Sequence, residues 1–214
     1  MRFIDPDGMF STDVTQNDDG TYKVVGGDIN DGDKNIYVVD TEGNRTGETI
    51  GESLTMESFY FSEDGTWKGT IDPNDRSGTD FINNDIVDDR SLGLVSYMFN
   101  GTGGGKYDFK RQGAKKGDSN YDNPDYFYRG MSFGKTKAGK NIFASARDLG
   151  NYAAGYIAGK NGLSWFESRL GFDTLQSIQD FSISTESSST QEGQKAGWNK
   201  GVNYFNAFIR RYKK

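Results

Sequence analysis

Gly193, Gly197 and Gly201 recur at intervals of four in a stretch that otherwise reads as helix, opening near Ser189 and running to the basic tail IRRYKK. Each interior glycine costs a helix about 1 kcal/mol relative to alanine, so three in line on one face require a compensating contact. A face without side chains lets a second backbone approach closely, a steric argument borrowed from membrane helices whose association energetics do not transfer. The partner is legible as well. A helix predicted to open at Ser145 and to stop near residues 161 and 162 carries Asp148, Asn151, Gly155, Ala158 and Gly159 on one face, almost without bulk. These two helices are expected to cross in near contact; the competing reading is a ligand backbone or polymer lying along the groove.

The opposite face of the earlier helix carries Leu149, Tyr152, Ala153, Tyr156 and Ile157, an i, i+3, i+4, i+7, i+8 stripe that packs on a core. Ser145 is its N-cap, with Asp148 at the capping-box position, and Gly162 supplies a left-handed stop. A middle helix opens at Ser164 with Glu167 three residues on, and presents Phe166, Leu170, Leu175 and Ile178. The last helix repeats the box signal with Glu192.

Upstream the period changes to two. The segments at 18–25, 35–50 and 59–71 each read as strand, turn, strand, with Asp-Gly at 19–20 and 64–65 supplying positive φ for tight hairpins. Short strands are expected at 106–110 and 126–133, separated by a lysine-rich loop. The fold class is α+β: a β-hairpin-rich N-terminal half, then short strands and three C-terminal helices. Leu, Ile, Val and Phe make up 42 of 214 residues, a thin core, but 14% aromatic residues and a net charge of -6 favour folding over disorder. No apolar run is long enough to span a membrane, and MRFIDPDGMF does not read as a signal peptide.

Charge divides the chain. Residues 1–95 carry 7 Lys and Arg against 21 Asp and Glu, while 96–214 carry 18 against 10. The division suggests an acidic β-rich segment at 10–95 and a basic α+β segment at 96–214. The basic segment suits an anionic partner, nucleic acid above all, although two solvated faces of unlike sign are the plainer account.

Two absences exclude much chemistry. With no Cys and no His, there is no disulfide, thiol nucleophile, zinc site of the usual ligands or Ser-His-Asp triad. Any site must be built from Asp, Glu, Lys, Arg, Tyr, Ser and Thr, or hold a hard metal on oxygen ligands. The acidic stretch at 28–35 is not an EF-hand loop, since Gly32 falls at position five where six is required, and it reads as an exposed turn. The glycine run at 101–105 is not a phosphate loop, because Asn100 and Tyr107 stand where Gly and Ser or Thr are needed.

Four constellations remain. Asp108 and Lys110 form a D-x-K triplet with Asp88 and Asp89 upstream, the logic of two carboxylates holding Mg²⁺ beside a lysine in restriction-type nucleases. Such a triplet is common, and an exposed charge pair on a strand is the plainer account of it. Tyr128 and Arg129, followed by Ser184, Thr185 and Glu186, resemble the aromatic-Arg and Ser-Thr elements of ADP-ribosyltransferases, where the Arg and a later Glu position NAD; no E-x-E or Q-x-E follows on a separate strand. Arg147, Asp148 and Asn151 sit in the opening turn of a helix, where free N–H groups favour an anion, unless Asp148 only caps. Glu186 lies in a serine-rich loop, with Asp148 as the partner acid a glycosidase would need. Lys115 and Lys116 add loop cations for a polyanion.

The opening residues Arg2-Phe3-Ile4-Asp5-Pro6-Asp7-Gly8-Met9 resemble the D-P-x-G motif that closes the shell of Bacteroidetes-type RHS/YD-repeat polymorphic toxins. The resemblance implies cleavage between Met9 and Phe10, with Asp5 and Asp7 as motif acids, a step this fragment is not expected to perform without the rest of the shell, and a released toxin domain beginning at Phe10. The block ARDLGNYAAGYIAGKNG followed by LSWFESRLGFD is also similar to C-terminal domains of such toxins. The resemblance implies an effector delivered by a specialised secretion system, paired with a cognate immunity protein and acting as a monomer. The expected activity is hydrolysis of an anionic polymer, nucleic acid first. A peptidoglycan glycosidase or amidase, an ADP-ribosyltransferase and a non-catalytic binding module are the alternatives.

Overall fold

The computed structural model describes residues 10–89, 91–180 and 188–212; the D-P-x-G motif, Ser184, Thr185 and Glu186 lie outside the described residues. Seven strands close a barrel: β1 (Ser11–Gln16), β2 (Tyr22–Asp28), β3 (Asn35–Val39), β4 (Arg45–Ser53), β7 (Thr70–Asp72), β8 (Gly130–Lys135) and β9 (Asn141–Ser145), in the order β1-β2-β7-β8-β9-β4-β3. A two-residue ribbon, β5 (Tyr60–Phe61) with β6 (Thr66–Trp67), stands beside it. The turns at 19–20, 42–43 and 64–65 each close a hairpin, although the first strand of the first hairpin lies at Ser11–Gln16, before the segment 18–25 expected to hold it. Alternation of side chains fills the barrel with Val14, Val24, Ile36, Phe59, Ile71 and Phe143. Register shifts at Asp13/Val14, in β3 and at Ser132/Gly134 mark bulges, the usual device for bending strands into a closed sheet.

Between β7 and β8 the chain makes a short α1 (Ser77–Asp80) that runs into a π-helix (Phe81–Val87), then α2 (Leu94–Asn100), a 3₁₀ turn (Phe109–Arg111) and α3 (Pro124–Phe127). α4 (Ala146–Lys160), α5 (Trp165–Asp180) and α6 (Ser188–Tyr212) follow β9. A second core, containing Phe81, Ile86, Phe109, Met131, Leu149 and Tyr156, lies under α4. None of the described helices is long and apolar enough to cross a membrane.

α4 and α6 cross with their backbones almost touching. A Cβ on Gly155 would collide with the Gln194 carbonyl and one on Gly159 with the Trp198 carbonyl; on Gly197 it would meet the Tyr152 carbonyl, and on Gly201 the Tyr156 carbonyl. The glycine stripe is therefore filled by the predicted partner helix. Ser145 Oγ accepts from the Asp148 N–H at 3.2 Å, as foreseen, and Ser164 and Glu167 make a reciprocal capping box.

Several expectations need correction. Residues 106–110 are not a strand: Asp108 and Arg111 pair at 3.2 Å across a 3₁₀ turn. Tyr107 and Phe109 both bury, which mimics a strand's period while the backbone curls. The strand expected at 126–133 begins only at Gly130, because Asn123 caps a helical turn with Pro124 at its first position. The box expected between Ser189 and Glu192 involves a side chain outside the described residues, and the Glu192 carboxylate accepts from the Met56 N–H at 2.8 Å and from Lys34 Nζ at 3.0 Å. Phe166 and Leu170 face solvent at 77% and 60% exposure, while the side chains of Leu175 and Ile178 lie outside the described residues. α5 instead leans on α6 through Trp165, whose ring is 5.9 Å from that of Trp198, and through Arg169, which donates to Gln194 Oε1.

Candidate functional site

Tyr128 and Arg129 are adjacent in sequence and serve different places. Tyr128 belongs to a buried network at the opening turn of α4. Arg147 Nη1 donates to the Tyr128 hydroxyl at 2.7 Å, and its Nη2 donates to the Glu57 carbonyl at 3.1 Å. Asp148 is wholly buried and accepts from Ser58 Oγ at 2.5 Å and from Thr55 Oγ1 at 3.2 Å, with Arg147 Nη2 at 3.9 Å. Burial pushes the Asp148 carboxyl up, a shift that Arg147, Ser58 and Thr55 oppose. Asn151 flanks the same turn, and its Nδ2 is buried without a hydrogen bond among the described residues. The sequence-predicted trio of Arg147, Asp148 and Asn151 is thus brought together, but it stitches the loop at 54–58 to α4. An acid with no exposed surface is not placed to meet a glycosidic bond, so of the two acids a glycosidase would need, the described one is inside the protein.

Burial dominates at Tyr128 too, pushing its phenol up to about 12 against the pull of Arg147. The folded value lies above the ordinary 10.0, so the stability tied to the neutral phenol is complete below about pH 10 and is lost as pH rises through about 12. Thermal melts of the wild type and Tyr128→Phe between pH 9 and 12 are expected to converge, the wild type losing more. Tyr156, also raised to about 12, keeps both curves falling. Parallel curves would show that Tyr128 does not titrate with unfolding.

Arg129 faces the other way. Its Nη1 donates to the carbonyls of Lys110 and Tyr126 at 3.0 and 2.8 Å, and its Nη2 to that of Phe109 at 2.8 Å. The guanidinium lies over the Tyr126 ring at 4.1 Å. No carboxylate pairs with it among the described residues, and burial pulls its pKa down while Tyr126 and Asp75 oppose. Of its five donors, the Nε–H and one Nη2–H make no hydrogen bond to the described protein.

That guanidinium lines a cleft of about 590 Å³ formed by Lys23, Val24, Trp67, Lys68, Gly69 and Thr70 on the barrel side, and Asn120, Asn123, Asp125, Tyr126 and Arg129 on the other. Gly69 is needed here: its φ is 101° and a Cβ would collide with the Tyr128 carbonyl, so the two walls meet backbone to backbone. The lining holds three cations and one carboxylate. Lys68 is shared with Asp64 at 2.9 Å, whereas Lys23 is exposed on β2. A second hollow of about 470 Å³, which includes Asp80 and Asp85, lies across Tyr126 and Arg129.

The remaining predicted residues fall around this cleft without converging. Asp108 is spent on Arg111 and on the Gly104 N–H at 2.9 Å. Lys110 sits over the Phe127 ring at 5.6 Å and gives its carbonyl to Arg129. Asp89 caps the turn before α2, accepting from Ser91 and Leu92. Among the described residues no group of three or more acidic side chains is arranged to hold a metal ion. Lys115 and Lys116 are exposed on the loop that leads to Asn120 and Asn123.

Sequence reasoning missed Lys23, Trp67, Lys68, Asn120, Asn123 and Tyr126. Lys23 read as the outward residue of a hairpin strand, which it is; only barrel closure brings it opposite α3. No family model matches the chain, and neither the curated proteins nor the solved structures yielded a match.

Proposed function

We propose that this chain is the effector domain of an RHS-type polymorphic toxin and that it hydrolyses an anionic polymer held at the Arg129 cleft. The observation that supports the reading is the guanidinium itself. A half-buried cation with two donors unspent and no carboxylate paired with it among the described residues is an anion site by electrostatics, and arginine's planar fork suits a phosphate or carboxylate. Lys23 and Lys68 extend the positive lining toward the barrel. The opening D-P-x-G motif supports delivery as cargo, and we assign to Asp125, the carboxylate in the lining, the role of accepting a proton from an attacking water.

Expression of the chain in the cytoplasm of a sensitive bacterium is expected to kill it. Lys23→Glu combined with Arg129→Gln is expected to abolish killing, and Lys23→Glu alone to weaken it while leaving the thermal melt within about 0.5 kcal/mol of wild type, as an exposed substitution should. Full killing by the double variant would overturn the cleft as the site. Absence of killing from both cytoplasm and periplasm would overturn the toxin reading.

A further inference from the structure

We propose that the Arg129 cleft binds one nucleotide of a single-stranded nucleic acid, with the phosphate on the cations and the base on Trp67. The inference rests on the reading of the cleft as an anion site and adds the chemistry of what the anion is attached to. An inorganic or carboxylate anion needs only cations. This cleft also offers a half-buried indole, lying over Gly27, whose missing side chain makes room for the ring. Trp67 packs partly against the barrel core and lies 5.2 Å from the Tyr60 ring, tilted 56°, and among the described residues no ring stacks face to face on it. Asn120 and Asn123 add amides to the lining; Asn123 Oδ1 is committed to the Asp125 N–H, and its Nδ2 is a donor.

Phosphate held by Arg and Lys beside an aromatic platform and amide donors is how single strands are gripped, because an unpaired base exposes both its face and its hydrogen-bonding edge. The shape favours the same ligand. The cations line a recess between the barrel wall and α3, and its volume of about 590 Å³ is that of a small-ligand pocket. A duplex carries its phosphates on a convex surface and keeps its bases stacked, so neither wall of the recess reaches them.

Fluorescence anisotropy with a labelled thymidine oligonucleotide, the same strand annealed to its complement, and inorganic polyphosphate as an unlabelled competitor tests this. The single strand is expected to bind, the duplex to bind at least tenfold more weakly, and polyphosphate to compete only at tenfold or higher excess. Trp67→Leu is expected to weaken the single strand roughly tenfold, the value of a lost base–aromatic stack. Lys23→Glu should weaken both strand and polyphosphate. In case Trp67→Leu fails to fold, Trp67→Phe carries a second readout: strand titration should quench the wild-type tryptophan emission and leave that of Trp165 and Trp198 in the variant unchanged. Equal affinity for strand and polyphosphate, or tight duplex binding, overturns the nucleotide assignment while the anion cleft stands. Failure of strand and polyphosphate alike to bind overturns both.

Discussion

Gly197→Ala is expected to lower the melting temperature by about 5–10 °C, although alanine is by propensity the better helix residue by about 1 kcal/mol. The added methyl has no room, since it would sit inside contact distance of the Tyr152 carbonyl and close to the Tyr156 N–H. α6 must then lift away from α4, and overpacking of this kind costs about 1–3 kcal/mol or more, each kcal/mol being about 2–4 °C in a domain of this size. Gly150→Ala supplies the control. Gly150 is in α4, but nothing lies within 4 Å of its Cβ position, so the same substitution should raise the melting temperature by about 2–4 °C. Differential scanning calorimetry of the two variants reads opposite signs. A stabilised Gly197→Ala would show that the helices do not touch at this point.

Asp148→Ala should be as damaging, at about 3–5 kcal/mol, because it strands the partners of a buried charge. Ser58 and Thr55 lose the acceptor they share, and Arg147 loses a carboxylate 3.9 Å away. Asp148→Asn separates charge from shape. The Asp148 carboxyl is raised by burial, so the folded state holds its proton more tightly than the unfolded chain does. Its contribution to stability is therefore fully present below the unfolded value of about 3.9 and is lost as pH rises through the folded value. The amide of Asp148→Asn cannot titrate, so the difference in stability between wild type and this variant should shift in the wild type's favour as pH falls through that window. A difference independent of pH would mean that the carboxyl is not raised.

The helical layer was legible in the sequence because its signals are local or strictly periodic. Ser145, Gly162, the Ser164–Glu167 box and the glycine stripe each act within a turn or along one face. The hairpins were legible for the same reason, two of their turns being set by Asp-Gly pairs and the turn between β3 and β4 by Glu42-Gly43. What escaped depends on contacts distant in sequence. Glu192 carries a capping-box spacing, yet Lys34 and Met56, more than 130 residues away, are partners of its carboxylate. Tyr107 and Phe109 show a strand's alternation because the core beneath wants both rings, not because the backbone is extended. The site was legible only in part. Arg129 was singled out beside an aromatic residue, but the same reading grouped it with Tyr128, which turns into the buried network. Lys23 and Trp67 give no sign in sequence that they will face α3.

Barrel closure also fixes an order of events during synthesis. The gap between β7 and β4 is filled by β8 and β9, and both seams are parallel, Ile71 opposite Gly130 and Glu52 opposite Ile142. A chain emerging from its N-terminus therefore holds two unsatisfied strand edges until residue 145 is free. Contacts of such long sequence separation form late and slowly, since loop entropy must be overcome before they add any stability. Late closure means that the cleft, whose two walls are β2–β7 and α3, comes into existence only when the last strand has docked.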